Sequence, residues 1–298
     1  MKQIQLDKQT IRVRGTLLRT ARLDGEGYLF FDNPEQIIGD LRFRSERIDL
    51  LTFVPPIAKA GQMLSYPMEW DNLAAIKVTT FDDWWNHQIG FKARNKAKQA
   101  EKKGVTIHNA VFDEELARGI WEIYNETPIR QGRKFPHFGK DFATVYKESA
   151  TLRENSNFIG AYFENKLIGF IRIVVSEDGS QAGLLNIVSK IEHRDKSPTN
   201  ALVARAVRFC SERGISHLTY SKFNYGKRKW DTLMEFKERN AFQRVDIPRY
   251  YVPLTPMGKI AFRLGMHKKL LDRIPEPIIV KFRDMRAAFY KRTMHGDA

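Results

Sequence analysis

Short stretches in which apolar and polar residues alternate characterise the first 80 residues of the chain. They cover residues 11–18, 27–31 and 48–53, and Gly, Pro and Asp residues separate them. Because successive side chains of a strand point to opposite faces of a sheet, this alternation predicts short strands joined by turns. Helices are predicted around residues 34–40 and 82–88.

Longer elements are predicted from residue 104 onwards. The clearest signal is a set of three apolar runs, at residues 158–163, 167–175 and 184–191, with short turns between them. Such runs predict an antiparallel meander. The other predicted elements are, in chain order, a strand at 105–111, a helix after Asp113, a donor-rich loop at 126–140, a helix at 140–149, a helix ending at Gly214, a strand at 217–223, a helix at 231–239 and one or two strands at 243–254. The passage from the meander through a helix to the next strand predicts a parallel crossover.

Two segments concentrate positive charge. Residues 89–103 read IGFKARNKAKQAEKK, with six basic residues against Glu101 alone, and Gly104 suits the C-cap of the helix that they predict. That helix either presents an ordinary solvated face or contacts phosphates, and both interpretations stay open. The tail, residues 255–298, is basic and amphipathic, and its apolar face either lies on an anionic lipid surface or packs onto the main domain.

Composition narrows the choice of partner and compartment. The 298 residues include 50 Lys and Arg against 35 Asp and Glu, so the net charge is +15, which favours RNA, anionic lipid headgroups or a phosphate-bearing small molecule. Cys210 is the only cysteine, which excludes an intramolecular disulfide and a multi-thiolate zinc site. No secretory segment and no run of about 18 apolar residues occurs, so we expect a cytoplasmic protein, with peripheral contact at the inner membrane face left open.

A helix entrance without glycine follows the meander. Arg194 and Lys196 come just before the letters SPTN, after which an amphipathic helix begins. With Thr199 or Asn200 as the N-cap, the free backbone N–H groups and the helix dipole favour an anion here, and the two basic residues would strengthen such a site. The alternative is a simple helix cap without a ligand.

The order of predicted elements resembles that of a known fold. From Gly104 it runs strand, helix, helix, three antiparallel strands, helix, strand, helix, strand, and this succession resembles the GNAT acyltransferases. The meander FIGAYFENKLIGFIRIVV is similar to the central hairpin of that family. The resemblance implies an α+β fold with a mixed, mostly antiparallel sheet flanked by helices. It also places residues 189–210 where the family binds the pyrophosphate of its cofactor.

A narrower resemblance is to FemAB-like proteins, which include the aminoacyl-tRNA-dependent peptidoglycan bridge enzymes and proteins of exopolysaccharide loci. The segment KARNKAKQAEKKGV is similar to their Arg-Asn-x-x-Lys-Ala-x-x-x-Gly signature, and FKERNAF resembles the helix that closes their second domain. The matching residues of the first segment are Arg94, Asn95, Lys98, Ala100, Lys103 and Gly104, with the spacing shifted by one residue after Lys98. The resemblance implies a shortened N-terminal GNAT-like half at 1–88, a GNAT-like domain at 89–254 and a basic helical tail at 255–298.

The resemblance also implies a reaction and a set of site residues. The reaction is transfer of an acyl group from acyl-CoA, or of an aminoacyl group from aminoacyl-tRNA, to an amine of a cell-envelope precursor, without a metal. The expected partners are an anionic small-molecule or lipid-linked substrate and, for the second donor, tRNA. The catalytic candidates are Glu126 as base and Tyr220 or Tyr225 as proton donor. The candidates for donor binding are Asn186, Val188, Arg194, Lys196, Ser197, Thr199, Asn200 and Lys237. The candidates for substrate binding are Arg130, Gln131, Arg133 and Lys222.

The sequence departs from the GNAT pattern at two places. The loop after Arg194 has none of the glycines that let the backbone approach a diphosphate, and Lys237 stands where many members have a tyrosine. A second class of function therefore stays open, a non-catalytic GNAT-fold protein that binds RNA or an anionic membrane surface. P-loop, HExxH and GxSxG motifs do not occur, which argues against a P-loop nucleotidase, a zincin and a serine hydrolase.

Overall fold

The computed structural model describes residues 2–6, 9–224 and 232–268 and the single residues 278 and 285. The strands are β1 (Lys2–Leu6), β2 (Gln9–Arg14), β3 (Thr20–Leu23), β4 (Leu50–Phe53), β5 (Met68–Lys77), β6 (Thr106–Ala110), β7 (Ile129–Arg130), β8 (Arg133–Lys134), β9 (Ser156–Phe163), β10 (Lys166–Val175), β11 (Gln181–Ser189), β12 (His217–Thr219) and β13 (Gln243–Pro253). The helices are α1 (Pro34–Phe43), α2 (Phe81–Asp83), α3 (Phe91–Lys102), α4 (Glu114–Asn125), α5 (Phe142–Ser149), α6 (Pro198–Glu212), α7 (Thr232–Arg239) and α8 (Pro256–Arg263).

One mixed sheet of eleven strands runs through the described residues. Its order is β1-β2-β3-β4-β13-β5-β12-β11-β10-β9-β6, and β7 and β8 form a separate hairpin. Only the pairs β3–β4 and β11–β12 are parallel within this sheet. The predicted α+β fold with a mostly antiparallel sheet is therefore confirmed, as are the meander β9–β11 and the parallel crossover from β11 through α6 to β12.

Strand β5, which the sequence pattern does not predict, lies in the middle of the sheet. It pairs antiparallel with β12 on one side and with β13 on the other. A strand from the predicted region 1–88 is thus inserted between two strands of the predicted region 89–254. The backbone hydrogen bonds of the sheet continue across the predicted boundary between these two regions.

Other elements differ from the predictions in extent. Residues 27–31 form turns and not the predicted strand, because Gly25 and Gly27 have φ values of +83° and +98°, which strands do not adopt. The predicted strand at 217–223 shortens to the three residues of β12, and the helix predicted at 82–88 is the short α2 followed by one π-helical turn. Of the predicted tail, α8 is described, and most residues after 268 lie outside the described part.

Helices cover both faces of the sheet around the meander. Ile171 and Ile173 of β10 pack with α3 and α6, whereas Phe170 of the same strand packs with α4 and α5. This follows from the alternation of side chains along a strand. A third cluster joins α1 to β1–β4 and to Tyr250 of β13. None of the described helices is both long and apolar enough to cross a membrane.

Candidate active site

The parallel pair β11–β12 opens into a gap. Only three residues of each strand pair, ending at Gly183 and Thr219. Beyond that point β11 continues beside β10 alone, whereas the N–H of Tyr220 donates to the carbonyl of Ala74 on β5 at 2.8 Å. The two strands therefore diverge and leave a gap in the sheet.

A β-bulge in β11 lies beside this gap. Arg172 of β10 is opposite Asn186, but Ile173 is opposite Leu184, so Leu185 is an extra residue on β11. The N–H of Lys190 donates to the carbonyl of Ile168 on β10. Because backbone groups alternate in direction along a strand, those of Asn186 and Val188 also face β10.

The backbone groups of Ile187 and Ser189 consequently face the gap. The carbonyl of Ser189 accepts a hydrogen bond from Nη1 of Arg130 at 2.7 Å, which agrees with this direction. The backbone N–H groups that face the gap are thus those of Ile187 and Ser189, and not those of the donor-binding candidates Asn186 and Val188. The Asn186 side chain donates to the hydroxyl of Tyr124 at 3.2 Å, and the Val188 side chain lines the cleft described next.

A cleft of about 790 Å³ leads from the surface into this gap. It lies between the end of β11, the start of α6, the β7–β8 hairpin and α7. Its lining residues are Lys96, Arg130, Gln131, Arg133, Lys134, Phe135, Pro136, Ile187, Val188, Ser189, Lys190, Ile191, Arg194, Ser197, Pro198, Thr199, Asn200, Tyr220, Thr232, Leu233 and Phe236. The helix entrance, for which the sequence leaves both an anion site and a simple cap open, therefore opens onto a cleft.

The charge of the cleft has one sign. Six cationic residues and no acidic residue are among its described lining residues: Lys96, Arg130, Arg133, Lys134, Lys190 and Arg194. In the described part of the chain, the Arg194 guanidinium has neither a hydrogen-bond partner nor an ion-pair partner. An uncommitted cation in a concave, cation-lined site favours an anionic ligand.

Glu126 orients Arg130 and the end of the β11 loop. One carboxylate oxygen of Glu126 accepts from Nη2 of Arg130 at 2.7 Å and from the N–H of Ile191 at 2.8 Å, and the other accepts from the N–H of Glu192 at 3.0 Å. Burial lowers the pKa of the Arg130 guanidinium, and the positive charge of Arg194 lowers it further. The carboxylate of Glu126 raises this pKa, but the net shift is downward. Because both of its oxygens are engaged, we assign Glu126 a positioning role in place of the predicted role of general base.

The N-cap of helix α6 lies two or three residues before the predicted one. Pro198 is its first residue and Ser197 its N-cap, with φ +55° and ψ +39° and no side-chain capping bond. Neither Thr199 nor Asn200 is the N-cap: the Thr199 hydroxyl lies 2.9 Å from that of Ser189, and the Asn200 amide lies 3.4 Å from Oδ1 of Asn240. Ser197 thus adopts a left-handed conformation that a glycine adopts at lower cost.

Three of the predicted ligand-binding lysines do not line the cleft. The Lys196 ammonium lies 4.5 Å from the centre of the Phe163 ring. The fully buried Lys237 donates to the carbonyl of Lys222 and lies 4.9 Å from the ring of Tyr220. The Lys222 ammonium forms a 2.6 Å ion pair with Asp71.

Other predicted ligand-binding residues do line the cleft. From the donor set these are Arg194, Ser197, Thr199 and Asn200, and from the substrate set they are Arg130, Gln131 and Arg133. Tyr220 also lines it, and Tyr225 lies outside the described residues. Four further residues that line the cleft are not among those predicted from the sequence: Lys96, Lys134, Lys190 and Phe236. Lys96 occurs in the basic segment at 89–103 and Lys134 in the donor-rich loop at 126–140, but no pattern indicates which lysines of such segments face a cleft.

A splayed, mostly antiparallel sheet, with a cation-lined cleft at the start of the helix that follows the meander, defines a GNAT-type fold. No family model matches the sequence, and no curated protein matches it. Among solved structures, the chain is similar to FemX, with a TM-score of 0.60 and 10% identity over 88% of this chain and 89% of that one.

Two further solved structures share this architecture. One is L-PGS from Bacillus licheniformis, with a TM-score of 0.53 and 13% identity over 89% of this chain and 85% of that one. The other is the C-terminal domain assigned to a lysylphosphatidylglycerol synthetase of Agrobacterium fabrum, with a TM-score of 0.52 and 14% identity over 86% of this chain and 84% of that one. These likenesses establish the fold, and the FemAB-like resemblance of the sequence agrees with them.

Proposed function

We propose that this protein is a transferase that moves an acyl or aminoacyl group from an anionic donor to an amine. The supporting observation is the cleft at the gap in the sheet, beside the first turn of α6, whose described lining residues include six cations and no acid. Phosphates bind well at such a helix start, and Arg194 adds an uncommitted guanidinium. The name of the lysylphosphatidylglycerol synthetase domain of similar fold agrees with an aminoacylated product.

The proposed reaction needs groups at the gap that stabilise negative charge and donate a proton. The acceptor amine attacks the carbonyl carbon of the donor, a C–N bond forms, and the bond to the thiol sulfur or ribose oxygen of the donor breaks. The carbonyl oxygen carries negative charge in between, the attacking amine loses one proton to solvent water, and the leaving sulfur or oxygen takes up one proton. We assign stabilisation of that charge to the backbone N–H groups of Ile187 and Ser189, which face the gap.

Tyr220 is the proposed proton donor to the leaving group. It lines the cleft at the point where β12 diverges from β11. A phenol can protonate the leaving thiolate or alkoxide, so that the donor departs as a neutral thiol or hydroxyl group. Arg130, held by Glu126, and the neighbouring Gln131 and Arg133 are the proposed contacts for an anionic acceptor such as a cell-envelope precursor.

The surface next to the cleft favours aminoacyl-tRNA over acyl-CoA as the donor. Lys96 of α3 lines the cleft, and Lys92, Lys98 and Lys102 of the same helix are exposed. A row of lysines that extends beyond the cleft fits a ligand with many phosphates better than a single nucleotide. The steepness of the salt dependence of binding separates the two donors, because it increases with the number of phosphates contacted.

A transfer assay with each donor tests the proposal. The purified chain is incubated with an amine acceptor and either acetyl-CoA, a longer acyl-CoA or aminoacyl-tRNA, and loss of the acyl group from the donor is followed by mass spectrometry. We expect turnover with one donor, and a decrease in kcat of about 100-fold in Tyr220→Phe with less than about twofold change in donor affinity.

Tyr146→Phe, on α5 at the surface, is the matched control and should retain full activity. Saturable binding of tRNA without turnover of any donor would contradict the proposal and favour the non-catalytic alternative.

A further inference from the structure

Helix α8 presents a row of exposed apolar side chains. Met257, Ile260 and Leu264 are 45%, 53% and 66% exposed, and their spacing of three and four residues places them along one side of the helix. We call this row the α8 stripe. Three large apolar side chains in contact with solvent on two helical turns are typical of a surface that binds a protein or a membrane.

An adjacent side of α8 is fixed to the sheet. Gly258 is pressed so closely against Asp49 that a Cβ atom there would lie 1.8 Å from its carbonyl oxygen, and Ala261 is fully buried. Thr255 caps the helix through Gly258 and donates to a carboxylate oxygen of Asp49 at 2.8 Å. The helix therefore has a committed inner face, and the α8 stripe is not part of the core.

The charge around the α8 stripe is positive. Lys259 and Arg263 are exposed on the same helix, and residues 255–268 contain no Asp or Glu. At the end of this segment Lys268 forms a 2.9 Å ion pair with Glu69. Exposed apolar residues continue further along the chain at Ile278 and Met285, seven residues apart.

We propose that the α8 stripe docks on the surface of an anionic lipid bilayer. An interfacial helix inserts its apolar side chains at the boundary between headgroups and acyl chains, while flanking Lys and Arg side chains interact with anionic headgroups. The α8 stripe, with Lys259 and Arg263 on the same helix and no Asp or Glu within residues 255–268, has this arrangement. The complete absence of acid in 255–268 favours an anionic lipid surface over a protein partner. The proposal goes beyond the transfer reaction and does not depend on it.

Vesicle flotation of the full chain tests the proposal without any donor. The vesicles are equimolar phosphatidylglycerol and phosphatidylcholine, with pure phosphatidylcholine as the neutral comparison. We expect the protein to float with the anionic vesicles, and the double variant Ile260→Ser with Leu264→Ser to bind them about tenfold more weakly, because two large apolar side chains no longer insert.

The matched control is the double variant Leu17→Ser with Phe43→Ser, which removes two exposed apolar side chains elsewhere without changing the charge and should bind like the original chain. Circular dichroism confirms that both variants are folded. Absence of flotation with anionic vesicles, or equal binding by both double variants, would overturn the proposal. Since transfer is assayed with soluble substrates, failure here leaves the proposed reaction standing, and the reverse also holds.

Discussion

Glu126 and Arg130 form the pair that fixes the geometry of the cleft wall. Both side chains are mostly buried, at 17% and 16% exposure, and Arg130 also donates to the carbonyls of Ser189 and Ile123. The carboxylate is thus the acceptor that keeps a partly buried cation beside the gap. Removing its charge leaves Arg130 with neutral acceptors only, which is costly in a buried setting.

Glu126→Gln tests whether this residue positions Arg130 or acts as a base. We expect the free energy of unfolding to decrease by about 2 kcal/mol, because a buried ion pair is lost. Turnover should decrease about tenfold while the pH profile of kcat keeps its shape, since no titrating catalytic group is removed. Urea denaturation and a pH-rate series measure both. The control is Glu122→Gln on the same helix, at a 52% exposed site. Disappearance of one limb of the pH profile would restore the role of general base.

At the scale of single residues, the sequence predicts both Arg194 and Lys196 as donor-binding residues. The structure places Arg194, but not Lys196, in the lining of the cleft. Arg194 and Lys196 have the same charge and lie two positions apart, so the sequence offers no means to separate them. The turn in front of α6 directs Arg194 into the cleft and Lys196 onto the Phe163 ring. Side-chain direction in such a turn depends on the left-handed conformation of Ser197, which is not visible in the composition of the loop.

Among the elements, the loop that follows β3 reaches across the sheet to β11. Ring atoms of Tyr28 lie where Gly183 would carry a Cβ, at 2.3 Å for Cδ1, and the Tyr28 hydroxyl donates to the carbonyl of Leu184 at 3.3 Å. Gly183 is the last residue of β11 that pairs with β12. A contact from the first part of the chain thus supports the strand at the point where the gap opens.

Gly183→Ala tests this contact between elements. We expect the free energy of unfolding to decrease by about 2 kcal/mol or more, because the new methyl group overlaps the Tyr28 ring. In a Tyr28→Ala background the same change should cost less than about 1 kcal/mol, since only Thr219 Oγ1, at 3.3 Å, then remains close to the new Cβ atom. Urea denaturation of the four proteins gives the coupling energy. Equal costs in both backgrounds would show that Tyr28 does not occupy this space in solution.

The pattern of apolar residues predicts some elements well and others not at all. The meander is confirmed because β9, β10 and β11 are long, apolar and separated by short turns. Strand β5 is not predicted from the sequence because Asp71 and Asn72 interrupt the run of apolar residues in it. The Asp71 side chain is accommodated by ion pairs with Lys222 and Arg249, which are distant in sequence. Tertiary contacts of this kind override the local pattern.

At the scale of the whole molecule, a single sheet joins the two halves that the sequence suggests. The order β13-β5-β12 places a strand of the first 88 residues between two strands of the later region. Sequence alone predicts the two halves but not their interleaving, because pairing between distant strands leaves no local signal. The gap, the cation-lined cleft and the α8 stripe all belong to this one folded unit.

The central claim is that the cleft at the start of α6 binds an anionic donor through Arg194. Equilibrium titration of acetyl-CoA, a longer acyl-CoA and aminoacyl-tRNA onto the full chain tests it most directly, with Arg194→Ala compared against Lys196→Ala. We predict saturable binding of one donor that becomes about tenfold weaker in Arg194→Ala, because a charge-assisted contact is lost, and changes less than about twofold in Lys196→Ala. Absence of saturable binding for every donor, or equal weakening by the two substitutions, would contradict the account.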